Sequence, residues 1–210
     1  MYVPAPNDRQ FELPPAGTHM ATCYRVIDLG TQSSTWNGQA KRQHKILISW
    51  ELPDELMSDG RPFTIGQRYT WSMSEKAALR RDLESWRGIP FTDKDFGTGG
   101  FDIMNIVGKS CLLNIVHVEK SLKQYANIAS ISRLMKGQKG PEKPTNEPIY
   151  LWLHRERWDP AVFGKLSDGL KGLIMQSPEY AALANGLDQE DEPPPIDAND
   201  YHDMNDQIPF

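Results

Sequence analysis

Cysteine is nearly absent from this chain: only Cys23 and Cys111 occur, far apart in the sequence. Two such residues do not make a disulfide framework and fit a reducing compartment. Long hydrophobic runs are missing as well. No stretch approaches the roughly twenty apolar residues that a membrane-spanning helix needs, so no membrane association is expected. The opening residues, MYVPAPNDRQFELPPAG, hold neither the basic nor the apolar block of a secretion signal. A cytoplasmic protein is the expectation.

The motifs of catalysis are also lacking. The glycine-rich run Gly97-Thr98-Gly99-Gly100 has no lysine to make it a phosphate loop, and no HExxH occurs. Zinc needs clustered ligands, whereas Cys23, His44, Cys111 and His117 fall on separate predicted strands or far apart on one. Cys111 and His117 belong to an apolar strand, where core residues are expected rather than a thiol nucleophile. Asp93, Asp95 and Asp102 lie in a polar loop and read as solvated acids rather than Mg²⁺ ligands. The expectation is a non-enzymatic protein with no metal and no cofactor.

What is present is a segregated charge. The chain carries a formal net charge of −5, from 23 basic and 28 acidic residues. Eight of the acids, Asp188, Glu190, Asp191, Glu192, Asp197, Asp200, Asp203 and Asp206, fall in residues 187–210, which hold no Lys or Arg. Residues 1–186 are therefore basic by three (23 against the remaining 20). An acidic, proline-rich segment of this kind is expected to be disordered. It can compete with nucleic acid for a basic groove or recruit partners.

The pattern before that tail is mainly β. Residues 1–17, with Pro4, Pro6, Pro14 and Pro15, read as an extended arm. Residues 18–32 read as a strand closing at Gly30, and Asn37-Gly38 supplies a tight hairpin turn. Residues 41–52 alternate, with Ile46, Ile48, Trp50 and Leu52 on one face, and Pro53 ends the strand. Residues 68–73 form a third strand. Ser74 then reads as a helix N-cap, and Ala78, Leu79, Leu83 and Trp86 recur at helical spacing up to Gly88 and Pro90. A polar loop over 91–101 leads to two more strands, 110–121 and 124–135.

Three strands, a helix and two strands are the order of an OB-fold, a five-stranded Greek-key barrel with its helix between strands 3 and 4. Residues 18–135 are thus expected to form an OB-fold-like barrel. Residues 136–148 read as a linker or loop and 149–186 as a helical extension, with one helix over 160–175 and another from Pro178. The extension is expected either to cover an open edge of the barrel or to mediate self-association into a homo-oligomer.

Single-stranded DNA needs cations along a groove and aromatic faces for its bases. Arg25 lies on the first strand, and Lys41, Arg42, His44 and Lys45 begin the second, just after Trp36 in the hairpin tip. Arg68, Tyr69 and Trp71 lie on the third. Lys109, Lys120 and Lys123 bracket the fourth, and Tyr125 opens the fifth. Trp50 and Trp86 lie on apolar faces and read as core. Trp71 alternates with Tyr69 and Met73 and fits either role. Trp36, in a polar turn, is the best stacking candidate.

The final residues place Ile208, Pro209 and Phe210 directly after Asp203 and Asp206. A partner could bury the Phe ring, pair its carboxylate with a basic side chain and attract the acids. MNDQIPF resembles the tip of bacterial single-stranded-DNA-binding proteins, although Asn205 and Gln207 interrupt its acids. The body resembles a family of bacteriophage-encoded single-stranded-DNA-binding proteins. The likeness runs through DLGTQ (28–32), SWRGIPFT (85–92), FDIMNIVGKSCLLNIVH (101–117) and YANIASI (125–131). It covers roughly residues 16–185. The resemblance implies an OB-fold acting in phage replication or recombination in the bacterial cytoplasm, with Asp203, Asp206, Ile208, Pro209 and Phe210 docking on host or phage replication and repair proteins. A protein-binding adaptor without DNA affinity is the alternative.

Overall fold

A computed structural model describes residues 12–36, 39–96, 100–121 and 123–185. Strand β1 spans Gly17–Trp36 and pairs antiparallel with β2, Gln39–Leu56. Strand β3, Pro62–Thr70, continues the sheet on the far side of β2. On the other edge of β1 lies β4, Ser110–Lys120, followed by β5, Lys123–Ser132. The order is therefore β3-β2-β1-β4-β5, all antiparallel. A short sixth strand, β6 (Ile149–Leu151), runs parallel to β1 at Arg25–Ile27. It takes the edge of β1 that β4 gives up after Thr22.

The sheet curls without closing. Its end strands β3 and β5 approach within 8 Å between Cα atoms but share no ladder among the described residues. Helix α1, Ala78–Arg87, contacts both of them. Leu79, Leu83 and Trp86, spaced by four and three residues, form its buried stripe. Two hydrogen bonds fix it there: Tyr69 Oη donates to Asp82 Oδ2 at 3.0 Å and Ser85 Oγ to the Ile131 carbonyl at 2.5 Å. Gly88 ends the helix in the left-handed region (φ 74°).

Both faces of β1 and β2 are buried, each against a different core. The concave face carries Val26, Ile46, Ile48, Trp50 and Leu52, packed with Tyr69, α1, Leu113 and Ile115. The outer face carries Ile27, Leu29 and Leu47. Against these lie Leu151, Leu153 and three short helices: α3 (Pro160–Lys165), α4 (Asp168–Met175) and α5 (Pro178–Ala184). Glu51, fully buried on the outer face, is satisfied by the 136–148 segment. Its carboxyl oxygens accept from the Thr145 and Asn146 backbone N–H groups and from Asn146 Nδ2, at 2.6–2.8 Å.

Several expected boundaries move, each for a physical reason. Strand β1 passes through Gly30, which at φ 67° supplies a bulge in the ladder with β2 rather than an end. Strand β2 passes Pro53, with an irregularity before Leu56 meets Pro62. Ser74 closes a turn with Ala77, and α1 begins one turn later. The 91–101 loop holds a four-residue helix, α2 (Asp93–Phe96). The helix expected over 160–175 is broken at Leu166–Ser167, where the chain turns extended. No described helix is long and apolar enough to cross a membrane.

If residues 149–185 belong to the same cooperative unit as the sheet, truncating their core must destabilise the whole. Ile174→Ala removes a fully buried side chain and is expected to cost about 2–5 kcal/mol. Urea unfolding followed by tryptophan fluorescence should show one transition at a lower midpoint; two separated transitions would contradict a single unit.

Candidate nucleic-acid interface

The cationic and aromatic residues singled out by sequence fall into four places. The first is the outer end of the β1–β2 hairpin. Lys41 and Arg42 lie opposite Ser34 and Ser33, half-buried and exposed respectively. Trp36 closes the pairing opposite Gln39; its side chain lies outside the described residues.

The second place is the end of β2 and β3. The register sets Lys45 opposite Thr70, Ile46 opposite Tyr69 and Leu47 opposite Arg68. Strand alternation then sends His44 and Tyr69 to one face and Lys45 and Arg68 to the other. Tyr69 is a correction to the sequence reading. Its ring is 3% exposed in the concave core, and its hydroxyl is held by Asp82, so it offers no face to a base. Burial, reinforced by the Asp82 carboxyl, raises its pKa well above the ordinary phenol value. Lys45 is a second correction: it is 7% exposed, and its ammonium donates to Thr70 Oγ1 at 3.1 Å. Arg68 is half-buried on the same outer face. Arg25 is also half-buried there, and its guanidinium donates twice to Ser49 Oγ and lies over the Tyr24 ring.

His44 and Trp71 form the third place. The Trp71 N–H donates to the His44 carbonyl at 2.7 Å, and the two rings lie 5.5 Å apart. Trp71 in turn meets Trp152 edge-on at 4.7 Å and 77°. Both indoles are half-buried and pack against the concave core. The imidazole is held from two sides: Nε2 donates to Asp28 Oδ1 at 2.7 Å, and Nδ1 lies 3.7 Å from Glu179 Oε1. Glu179 accepts from the Thr31 N–H and hydroxyl, so α5 is tied to β1 at this point. A Cβ on Gly30 would sit 2.5 Å from the Ser177 side chain, so the left-handed glycine also admits the start of α5.

The β4–β5 hairpin is the fourth place. Lys120 and Lys123 face each other at its exposed tip, and Val116, Val118 and half-buried Tyr125 line one side of it. Because β4 runs antiparallel to β1, with Gly17 opposite Ile115, this tip and the Lys41–Arg42 tip lie at opposite ends of β1. Lys109, exposed at the foot of β4, belongs to neither tip. The partner-binding residues Asp203, Asp206, Ile208, Pro209 and Phe210 lie outside the described residues.

Sequence reasoning assigned nothing to Trp152, yet it stands beside Trp71. It lies two residues before His154 and close to exposed Arg155 and Arg157. The aromatic and basic character of YLWLHRERW was the signal, passed over because the segment followed a linker-like stretch.

Neither cysteine is placed for chemistry. Cys111 is buried in the concave core, while His117 is exposed and bonded to the Pro14 carbonyl at 2.8 Å. Among the described residues, no group of three or more His, Cys, Asp or Glu side chains could hold a metal ion. No family model matches the chain, and no curated protein matches it by sequence.

Burial pushes the Cys23 thiol up to about 12, and Cys111 is raised in the same direction by burial and by Cys23. A raised thiol pKa leaves little thiolate at pH 8, and the core excludes reagent as well. Ellman's reagent should find no fast-reacting thiol in the native protein and two after unfolding in guanidinium; rapid native labelling would contradict this packing.

Proposed function

We propose that this chain is a non-enzymatic protein that binds single-stranded DNA with little sequence preference, using an open OB-like barrel as its scaffold. The observation that carries the reading is the half-buried Trp71 against His44 at the end of β2–β3, on the same hairpin as Lys41 and Arg42. An indole at the rim gives bases a face to stack on, and neighbouring cations give the phosphates a counter-charge. The strand order, with α1 between β3 and β4, is compatible with an OB-fold whose closing β3–β5 ladder is replaced by helix packing. The sequence resemblance to phage single-stranded-DNA-binding proteins supports the same reading, with a role in replication or recombination in a bacterial host.

In this reading the acidic segment 187–210 competes weakly with DNA for the basic surface, and its Ile208-Pro209-Phe210 tip recruits replication or repair proteins once DNA displaces it. Deleting residues 187–210 is expected to raise affinity for single-stranded DNA at low salt, since eight acids are removed. An unchanged affinity would remove the competition.

A second reading has an observation of its own. Val116 and Val118 are 38% and 41% exposed beside Tyr125 on the projecting β4–β5 hairpin. Such an apolar stripe suits a protein partner, as an adaptor without DNA affinity would need.

Titrating the full-length protein with oligo-dT separates the two, with tryptophan fluorescence as the signal and duplex DNA as control. Quenching by oligo-dT, weakened by salt with a slope of roughly 0.7 per phosphate contact, is the expected result. Absence of binding to any nucleic acid at low salt would overturn DNA binding in favour of the adaptor.

A further inference from the structure

Resting on the single-stranded-DNA reading above, we infer that the extension beyond residue 148 supplies half of the base-stacking site, through Trp152 with Arg155 and Arg157. The barrel residues alone would then be an incomplete binding unit.

The chain alternates through β6 and its continuation. Leu151 and Leu153 enter the outer core, so Trp152 is turned the other way, toward Trp71 and the rim of the concave core. A side chain that merely plugged this rim would need no indole. Leu or Phe would bury as much apolar surface without an N–H that needs a partner when buried. Two indoles meeting edge to face at 77° use up at most one of their four ring faces. Both rings stay partly exposed, so the pair forms a corner on which one base can stack while the next lies against the second ring.

The charges nearby suit this occupant. Arg155 and Arg157 are exposed within five residues of Trp152, on a short 3₁₀ turn (Arg155–Arg157), with Lys41 and Arg42 farther along β2 beyond His44. A polyanion crossing the Trp71–Trp152 corner would thus meet cations from both the sheet and the extension. A purely apolar partner would gain nothing from that flank.

The position of Trp152 is built rather than incidental. Asp28 accepts from the Leu153 N–H at 3.3 Å and from His44 Nε2 at 2.7 Å, so one carboxyl registers the residue after Trp152 against the residue that stacks on Trp71. Glu179 holds the other side of His44. The extension therefore both provides a ring and fixes the imidazole beside its neighbour.

The test uses the full chain and a fluorescently labelled dT oligomer read by anisotropy, so that loss of a tryptophan does not alter the signal. Trp152→Leu, which keeps apolar bulk but no ring, is expected to weaken binding about tenfold, while Trp152→Phe retains most of the affinity. Arg155→Ala with Arg157→Ala should weaken binding further at low salt and reduce the salt slope by about 1. A Trp152→Leu protein with wild-type affinity overturns the inference while leaving DNA binding intact. A wild-type protein that does not bind dT overturns the underlying reading instead. Because Trp152→Leu could also loosen the rim, photocrosslinking of 5-iodouracil-substituted oligonucleotide to the wild-type protein provides a second measurement. Adducts on Trp152 or within 152–157 support the inference; adducts confined to the β4–β5 hairpin overturn it.

Discussion

The Asp28 side chain, 3% exposed, accepts three hydrogen bonds: from the Gly30 N–H at 2.8 Å, from His44 Nε2 at 2.7 Å and from the Leu153 N–H at 3.3 Å. The three donors come from the β1 bulge, from β2 and from the segment after β6. A buried carboxyl without partners is costly, so this one is stable only where all three segments converge. That convergence sets the bulge at Gly30, and the bulge lets Ser177 and Glu179 approach β1. The hairpin, the helical extension and the aromatic rim are therefore registered through one side chain.

A second constraint follows from burying both faces of β1 and β2. Antiparallel strands with one wet face need only alternate, but here the outer face must also find cover. Leu47 and Ile27 obtain it from α4 and α5, and Glu51 obtains it from the Thr145–Asn146 backbone. The polar residues among these outer positions explain why alternation reads so cleanly in residues 41–52. Lys45, Ser49 and Glu51 look solvent-facing by residue type, yet all three are buried against later parts of the chain.

That difference separates what was legible in the sequence from what was not. Ile46, Ile48 and Trp50 on one face, and Leu79, Leu83 and Trp86 on one helical stripe, were readable because local period fixes them. Trp50 and Trp86 are core, as their patterns imply, with ring centroids 5.8 Å apart. Gly30 misled, because a left-handed glycine serves a bulge as readily as a turn, and only the partner strand decides between them. Tyr69 and Lys45 misled for a related reason: residue type named them as ligands, but their burial depends on Asp82 and on packing far along the chain. Trp152 was invisible as a neighbour of Trp71, since nothing local links two residues eighty positions apart.

The placement of the cations bears on how such a surface would bind. They do not gather in one pocket: Lys41 and Arg42 lie at one end of β1, Lys120 and Lys123 at the other, and Arg155 and Arg157 beside the aromatic rim. Concentrated, bidentate charge would favour a compact anion or a particular base edge. Charge spread along a curled sheet favours a flexible polyanion that makes many weak contacts, each screened by salt. Stacking on half-buried indoles adds affinity without discriminating among bases, because every base has a face. Dispersed cations with a single aromatic corner thus argue for coating over reading. They also explain why detaching the acidic segment would change affinity without changing preference: it removes a competitor for charge and leaves the stacking surface as it was.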